Sequence, residues 1–211
     1  MIRHEIKEKL DNSIIFLYER VYHRPVFPIE PLFACIKLEC CRYISYTKLA
    51  KISDVSVFDV IRACNSSDGC THFDRKNNRY LIAVNDTIKS PARQRWTISH
   101  ELGHIFAGHF VEMLTSNGHN NPSDDYMEDE ANYFAANFLA PTSAIRYLNA
   151  KSASDIRDWF GMSMLAAEYR FEEYLQNPDS PIIEQYFRRV PAKSIIKRQN
   201  SLGTPINIWK D

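Results

Sequence analysis

The spacing of apolar residues predicts a largely helical chain with one short β-hairpin ahead of its middle. Apolar side chains recur every three or four residues between charged ones from Met1 to Tyr22, which is typical of an amphipathic helix. A second apolar stretch, Leu32 to Leu38, follows three prolines and is also expected to be helical. Two strand-like segments, Thr71–Asp74 and Arg79–Asn85, flank the turn sequence 75–78 and predict the hairpin.

The second half of the chain favours helices. Residues 93–107 have helical spacing, and this segment ends before a glycine. Residues 123–139 also have helical spacing, with a serine as the expected N-cap and a proline after the C-terminal end. Residues 155–160 and 163–175 predict a shorter helical pair around Gly161. No apolar run approaches the length that a membrane span needs, so we expect no membrane association.

The length and the charge balance narrow the class of protein. A chain of 211 residues suits one domain, which we expect over residues 1–175, followed by a tail over 176–211. Lysine plus arginine and aspartate plus glutamate number 26 each, so no overall field attracts nucleic acid or an anionic membrane. The oligomeric state is left open.

The cysteines indicate a reducing compartment. The chain has 5 cysteines, without a CxxC pair or zinc-finger spacing. An odd number of cysteines, two of them adjacent in sequence, does not suit a disulfide framework. We therefore expect free thiols and a cytoplasmic location.

The segment His100-Glu101-Leu102-Gly103-His104 carries the chemistry. Two histidines four apart on a helix lie on one side, one turn apart, so both imidazoles can reach the same metal ion. Glu101 stands where it can take a proton from water instead of binding the metal. Apolar residues gather on the opposite face, and Gly103 on the front is small enough to let another element approach.

The third ligand is expected from the acidic helix downstream. His109 is rejected, because on a continuing helix it would project away from His100. On a wheel of residues 128–139, Glu128 falls among apolar positions and Glu130 opposite them, so we assign Glu128 as the inward-facing ligand and Glu130 to solvent. Asn132, one turn beyond Glu128, suits a hydrogen bond to a ligand histidine.

The residues 95–104, RWTISHELGH, together with 128–141, EDEANYFAANFLAP, resemble the ImmA/IrrE family of metallopeptidases. The resemblance covers roughly residues 20 to 175. It implies an α+β fold: a mostly helical zincin-like domain with a small β-sheet or hairpin before the HExxH helix and a helical pair at about 154–175. It also implies a gluzincin-like zinc site of His100, His104 and Glu128, with Glu101 catalytic.

The same resemblance implies a function. Members of the family are typically bacterial or mobile-element proteins that cleave a helix-turn-helix repressor and so relieve repression in response to stress or a signal. We therefore expect a zinc-dependent endopeptidase whose partner is a protein substrate. The family comparison also suggests that an extended substrate pairs with an exposed strand edge, for which Tyr80, Ile82 and Val84 are candidates, although an ordinary covered strand is equally compatible.

Alternative functions stay open at this point. Residues 155–171 resemble a helix-turn-helix in outline, but acidic residues outnumber basic ones there, which argues against direct DNA binding. A metal-binding regulator that holds a partner without cutting it is the other alternative. The oxyanion stabiliser is unassigned among Tyr126, His109, His119 and Tyr133.

Overall fold

The computed structural model describes residues 2–115, 124–177, 180–190 and 196–197. A π-helical turn, Leu17–Val21, extends the first helix. The strands are β1 (Val26–Phe27), β2 (Cys41–Ser45), β3 (Gly69–Asp74), β4 (Arg79–Val84) and β5 (Ile196–Lys197). The helices are α1 (His4–Phe16), α2 (Pro31–Lys37), α3 (Tyr46–Ser53), α4 (Val57–Cys64), α5 (Pro91–Ala107), α6 (His109–Thr115), α7 (Asp124–Leu139), α8 (Thr142–Tyr147), α9 (Ala153–Phe160), α10 (Met164–Gln176) and α11 (Pro181–Arg189).

The expected α+β class is confirmed, and the hairpin belongs to a three-stranded sheet. Strands β3 and β4 pair antiparallel across residues 75–78, where Asn78 adopts the left-handed conformation that suits a tight turn. Strand β2, which the sequence did not predict, joins β4 in parallel, so the strand order is β2-β4-β3.

This order corrects the expected substrate edge. Tyr80, Ile82 and Val84 lie on β4, whose backbone is hydrogen-bonded to a neighbour on each side. A strand with two partners has no free row of N–H and C=O groups to offer an extended peptide. In the part of the sheet that the structure describes, β3 is an edge strand.

Helices α5 and α7 cross in close contact at Gly103. A Cβ atom built on Gly103 would lie 2.8 Å from Cα and 2.9 Å from the carbonyl oxygen of Ala131, which is closer than real Cβ atoms approach. The predicted role of Gly103 in admitting another element is therefore confirmed. The buried back of α5, with Ile98 and Leu102, packs into the main core.

The chain after α8 largely follows the predicted pattern. Ser152 caps α9, Gly161 ends it in the left-handed conformation, and Ser163 caps α10. Within the expected tail, residues 176–211, the segment Pro181–Arg189 forms α11. Its side chains Ile183 and Phe187 are buried in the main core. The predicted N-cap Ser123 lies outside the described residues.

Two further expectations concern thiols and membranes. All five cysteines are free thiols. Within the described ranges, no helix combines the length and the apolar character that crossing a bilayer requires.

We predict that Gly103→Ala destabilises the protein and weakens metal binding. Alanine would raise the stability of an unconstrained helix by about 1 kcal/mol relative to glycine. Here its methyl group must push α7 away, which costs about 1–3 kcal/mol for an overpacked contact. Chemical denaturation and zinc titration measure the two effects, and a variant as stable as wild type would contradict the close crossing.

Candidate metal centre

Helix α5 carries two histidines whose rings converge. Ser90 caps its first turn, Pro91 occupies its first position, and Gly108 ends it in the left-handed conformation. The Nε2 atoms of His100 and His104 lie 3.0 Å apart. Their side chains are 17% and 12% exposed, so the pair is accessible from one side only.

Helix α7 brings a carboxylate to the same point. Glu128 places Oε2 3.2 Å from Nε2 of His100 and Oε1 3.4 Å from Nε2 of His104. One donor atom from each of these three residues lies within 4.8 Å of the others. They are the group of metal-ligating side chains that the described residues bring together.

The expected burial of the two glutamates is wrong. Glu130 is fully buried, whereas the side chain of Glu128 is 54% exposed. The wheel omitted Met127 and Phe134, which are both buried, and Phe134 lies roughly 120° from Glu128. The buried arc is therefore centred on Phe134 and includes Glu130, while Glu128 sits at its border and reaches over α5.

His109 also differs from its expected position. The rejection assumed that the helix continues, but Gly108 interrupts it and α6 begins at His109. The turn folds the fully buried His109 back, so that its Nδ1 lies 2.8 Å from Nδ1 of His104. Its Nε2 lies 2.9 Å from Oε2 of Glu130. Both ring nitrogens of His109 are therefore engaged, and neither faces the point where His100, His104 and Glu128 converge.

Glu130 is held as a carboxylate by Arg3. The Nε and Nη2 atoms of Arg3 donate to the two carboxylate oxygens of Glu130, each at 2.9 Å. Burial alone would raise the pKa of Glu130, but hydrogen bonds from Arg3 and His109 outweigh it and hold the pKa below its usual value. Arg3 also pairs with Glu112 at 2.9 Å.

These contacts determine which nitrogen of His104 is free. A carboxylate only accepts, so Nε2 of His109 must donate to Glu130. Burial lowers the pKa of His109 and, more strongly, that of His104, to about 3, which keeps both rings neutral. Nδ1 of His109 then accepts from Nδ1 of His104, which leaves Nε2 of His104 with a lone pair.

Asn132 acts in the same way on His100. Its Oδ1 lies 3.0 Å from Nδ1 of His100. Because an amide oxygen only accepts, Nδ1 of His100 carries the proton and Nε2 presents its lone pair. The contact has the geometry that the sequence analysis expected of Asn132.

The arrangement fits a divalent metal ion. Two lone pairs and a carboxylate facing one another at 3.0–3.4 Å repel unless a cation lies between them. A tetrahedral site with bonds of about 2.0–2.1 Å places its ligand atoms about 3.4 Å apart, close to these separations. Nitrogen and oxygen donors of this kind suit zinc.

Glu101 is held at the back of the site by the sheet. It is 8% exposed, and Oγ1 of Thr71 on β3 donates to its Oε2 at 2.7 Å. Burial, the largest effect, raises the pKa of Glu101, and the bond from Thr71 opposes the rise. A desolvated carboxylate fixed by one hydrogen bond is arranged to exchange a proton.

The candidates for oxyanion stabilisation are mostly engaged elsewhere. The hydroxyl of Tyr126 donates to Glu112 at 2.9 Å, and that of Tyr133 donates to Asp11 at 2.7 Å. His109 bonds His104 and Glu130, as described above. His119 lies outside the described residues.

Sequence reasoning missed Arg3, Thr71 and the role of Glu130. The one available signal for the His109 contact was Gly108, which commonly ends a helix and so removes the basis for projecting His109 onto the same wheel. Nothing local marks Arg3 or Thr71, because their partners lie 127 and 30 residues away.

Comparison with known proteins gives a family, one curated protein and one solved structure. Residues 60–172, just over half of the 211 residues, match the family model of the IrrE N-terminal-like domain, Peptidase_M78. The metallopeptidase ImmA of Bacillus subtilis (strain 168) is 22% identical over 111 residues, which are 51% of this chain and 64% of that protein. A solved structure described as a Mycobacterium tuberculosis transcriptional regulator aligns with a TM-score of 0.40 and 13% identity, over 84% of this chain and 49% of that one. The chain thus spans less than two thirds of each.

We predict that His109→Phe and Glu130→Gln each weaken zinc binding by about 10–100-fold, because both remove the constraint on the His104 ring. Glu112→Gln is the matched control, since Glu112 also pairs with Arg3, whereas the carboxylate that Nε2 of His109 bonds is that of Glu130. Its zinc affinity should stay within about twofold of wild type. Competition against a fluorescent chelator measures all three, and equal affinities would contradict the orienting role.

Proposed function

Because the chain belongs to the IrrE N-terminal-like domain family, Peptidase_M78, we propose that it is a zinc-dependent endopeptidase that hydrolyses a peptide bond in a protein substrate. The observation that carries the proposal is the convergence of His100, His104 and Glu128 beside a buried Glu101. The three form the ligand set, which leaves one position of a four-coordinate site for water or substrate. Asn132 and His109 orient the two histidines.

The residues around the site have distinct tasks. A bound zinc ion supplies Lewis acidity and makes water a stronger acid. Glu101 accepts the proton of the attacking water on its carboxylate and passes it to the leaving amine. Thr71 donates to Oε2 of Glu101, which leaves Oε1 as the oxygen for proton exchange.

Strand β3 is our candidate for substrate pairing in place of β4. It is an edge strand of the described sheet, and its Thr71 contacts Glu101 directly. An extended peptide that adds to this edge would gain main-chain hydrogen bonds and would run past the general base. Its scissile bond is thereby brought to the three ligands.

We extend the proposal to a substrate class on the resemblance to the ImmA/IrrE family. The substrate is a helix-turn-helix transcriptional repressor, and its cleavage relieves repression. The family resemblance is the support for this step, which also links the protein to stress responses or mobile elements.

We predict that Glu101→Gln abolishes cleavage while zinc stays bound. Losing a general base lowers kcat/KM by at least about 100-fold. The assay incubates zinc-loaded protein with the repressor encoded beside its gene and follows the products by mass spectrometry. Glu128→Gln should instead lose zinc, and Glu8→Gln, at an exposed position on α1, should behave as wild type. If the wild type relieves repression without any cleaved product, the peptidase proposal is contradicted and a non-cleaving regulator is favoured.

We predict a smaller effect for Thr71→Val. The variant loses the hydrogen bond to Glu101 but keeps a β-branched side chain suited to a strand. The carboxylate becomes free to rotate, so we expect kcat to fall about tenfold with KM and zinc content nearly unchanged. Steady-state kinetics and metal analysis check this, and an unchanged kcat argues against the contact.

A further inference from the structure

A cavity of about 850 Å³ opens beside the metal centre, between α5, α7 and the segment from Gly161 into α10. Asn132 belongs to its wall, and the same side chain contacts His100. Trp96, one turn before His100 on α5, forms another part of the wall. Because Asn132 both lines the cavity and contacts His100, a polypeptide bound at the three ligands reaches the cavity with residues about three positions or fewer from its scissile bond, at about 3.3–3.6 Å per extended residue.

The cavity is lined largely by apolar side chains. The inner wall includes Ala92, Trp96, Ala136, Leu139, Met162 and Ala166. At its rim, Leu165 and Tyr169 of α10 are 62% and 66% exposed, so the apolar lining continues onto the surface. A ligand that fills the cavity would therefore also cover the apolar side chains at its rim.

The arginines of the cavity already have partners. Nε of Arg93 lies 2.7 Å from Oδ1 of Asp68. Arg170, 3% exposed, donates to the carbonyl oxygen of Ala140 and pairs with Glu173 at 2.6 Å. Because both cations are neutralised locally, they do not form a site for phosphate or another anion. An apolar occupant matches the majority of the lining side chains.

We infer that this cavity receives large apolar side chains of the substrate, from residues within about three positions of the scissile bond. The inference rests on the proposed peptidase function and adds a sequence preference to it. The volume lies in the upper part of the range of about 300–1,000 Å³ for ligand pockets, so it holds more than one side chain. The preferred substrate carries clustered leucine, isoleucine, methionine or aromatic residues beside the cleaved bond.

A peptide library derived from a digested proteome tests the preference. Zinc-loaded wild type is incubated with the library, with Glu101→Gln as the blank, and the new termini are identified by mass spectrometry. We expect large apolar residues to be enriched at one or more positions near the cleaved bond. Cleavage without such enrichment overturns the inference and leaves the peptidase proposal standing. Absence of any cleavage by the wild type removes both.

Two leucines of α10 offer a matched pair of variants. Leu165 lines the cavity, whereas Leu175 lies on the same helix outside it, with exposures of 62% and 68%. We expect Leu165→Ser to lower kcat/KM for an apolar library peptide by about tenfold or more, and Leu175→Ser to leave it within twofold. Equal effects of the two substitutions overturn the inference.

A filling variant and a check on self-association complete the test. Ala166→Trp fills part of the cavity and should lower kcat/KM as Leu165→Ser does. The melting temperature of Ala166→Trp is measured alongside. If Ala166→Trp is unfolded, the result of Leu165→Ser alone decides the test. Sedimentation compares wild type with Leu165→Ser over a range of concentrations. A dimer that dissociates in Leu165→Ser would assign the face to a second copy and overturn the inference.

Discussion

The close crossing of α5 and α7 is the constraint on which the candidate site depends. With no side chain at Gly103, the backbone of α7 at Ala131 rests almost directly on α5. This contact fixes both the height and the rotation of α7. Three of its residues then meet three different targets: Glu128 meets the paired histidines, Asn132 meets His100, and Glu130 meets His109. A single helix thus supplies the proposed third ligand and two orienting contacts.

The polar chain from the partly exposed Arg3 to the buried Glu130 and His109 gives specificity at some cost in stability. Removing a carboxylate and an imidazole from water is expensive, and apolar residues of similar size often stabilise a protein as well or better. What the polar chain provides is direction. It sets the tautomer of His104, which an apolar replacement could not do.

Much of the fold and part of the site could be predicted from sequence because the signals are local. The histidine spacing, the hairpin turn and the Gly161 break between α9 and α10 each lie within a few residues. The buried position of Glu130 would follow from a wheel that includes Met127 and Phe134, but its pairing with Arg3 could not be predicted, because the two lie 127 residues apart. The central position of β4 was missed for a similar reason, because β2 pairs with it across some forty residues and gave too weak a strand signal.

The position of Arg3 has a thermodynamic consequence. Residue 3 precedes α1, where the ends of helices fray, yet it fastens the carboxylate that orients a ligand histidine. Metal occupancy and closure of the N-terminal turn are therefore linked, and linkage is reciprocal. An ion that favours the oriented His104 would lower the population of locally opened α1, and whatever holds α1 open would weaken binding of the ion. The amide hydrogens of the first turn of α1 thus become a remote reporter of the metal's state.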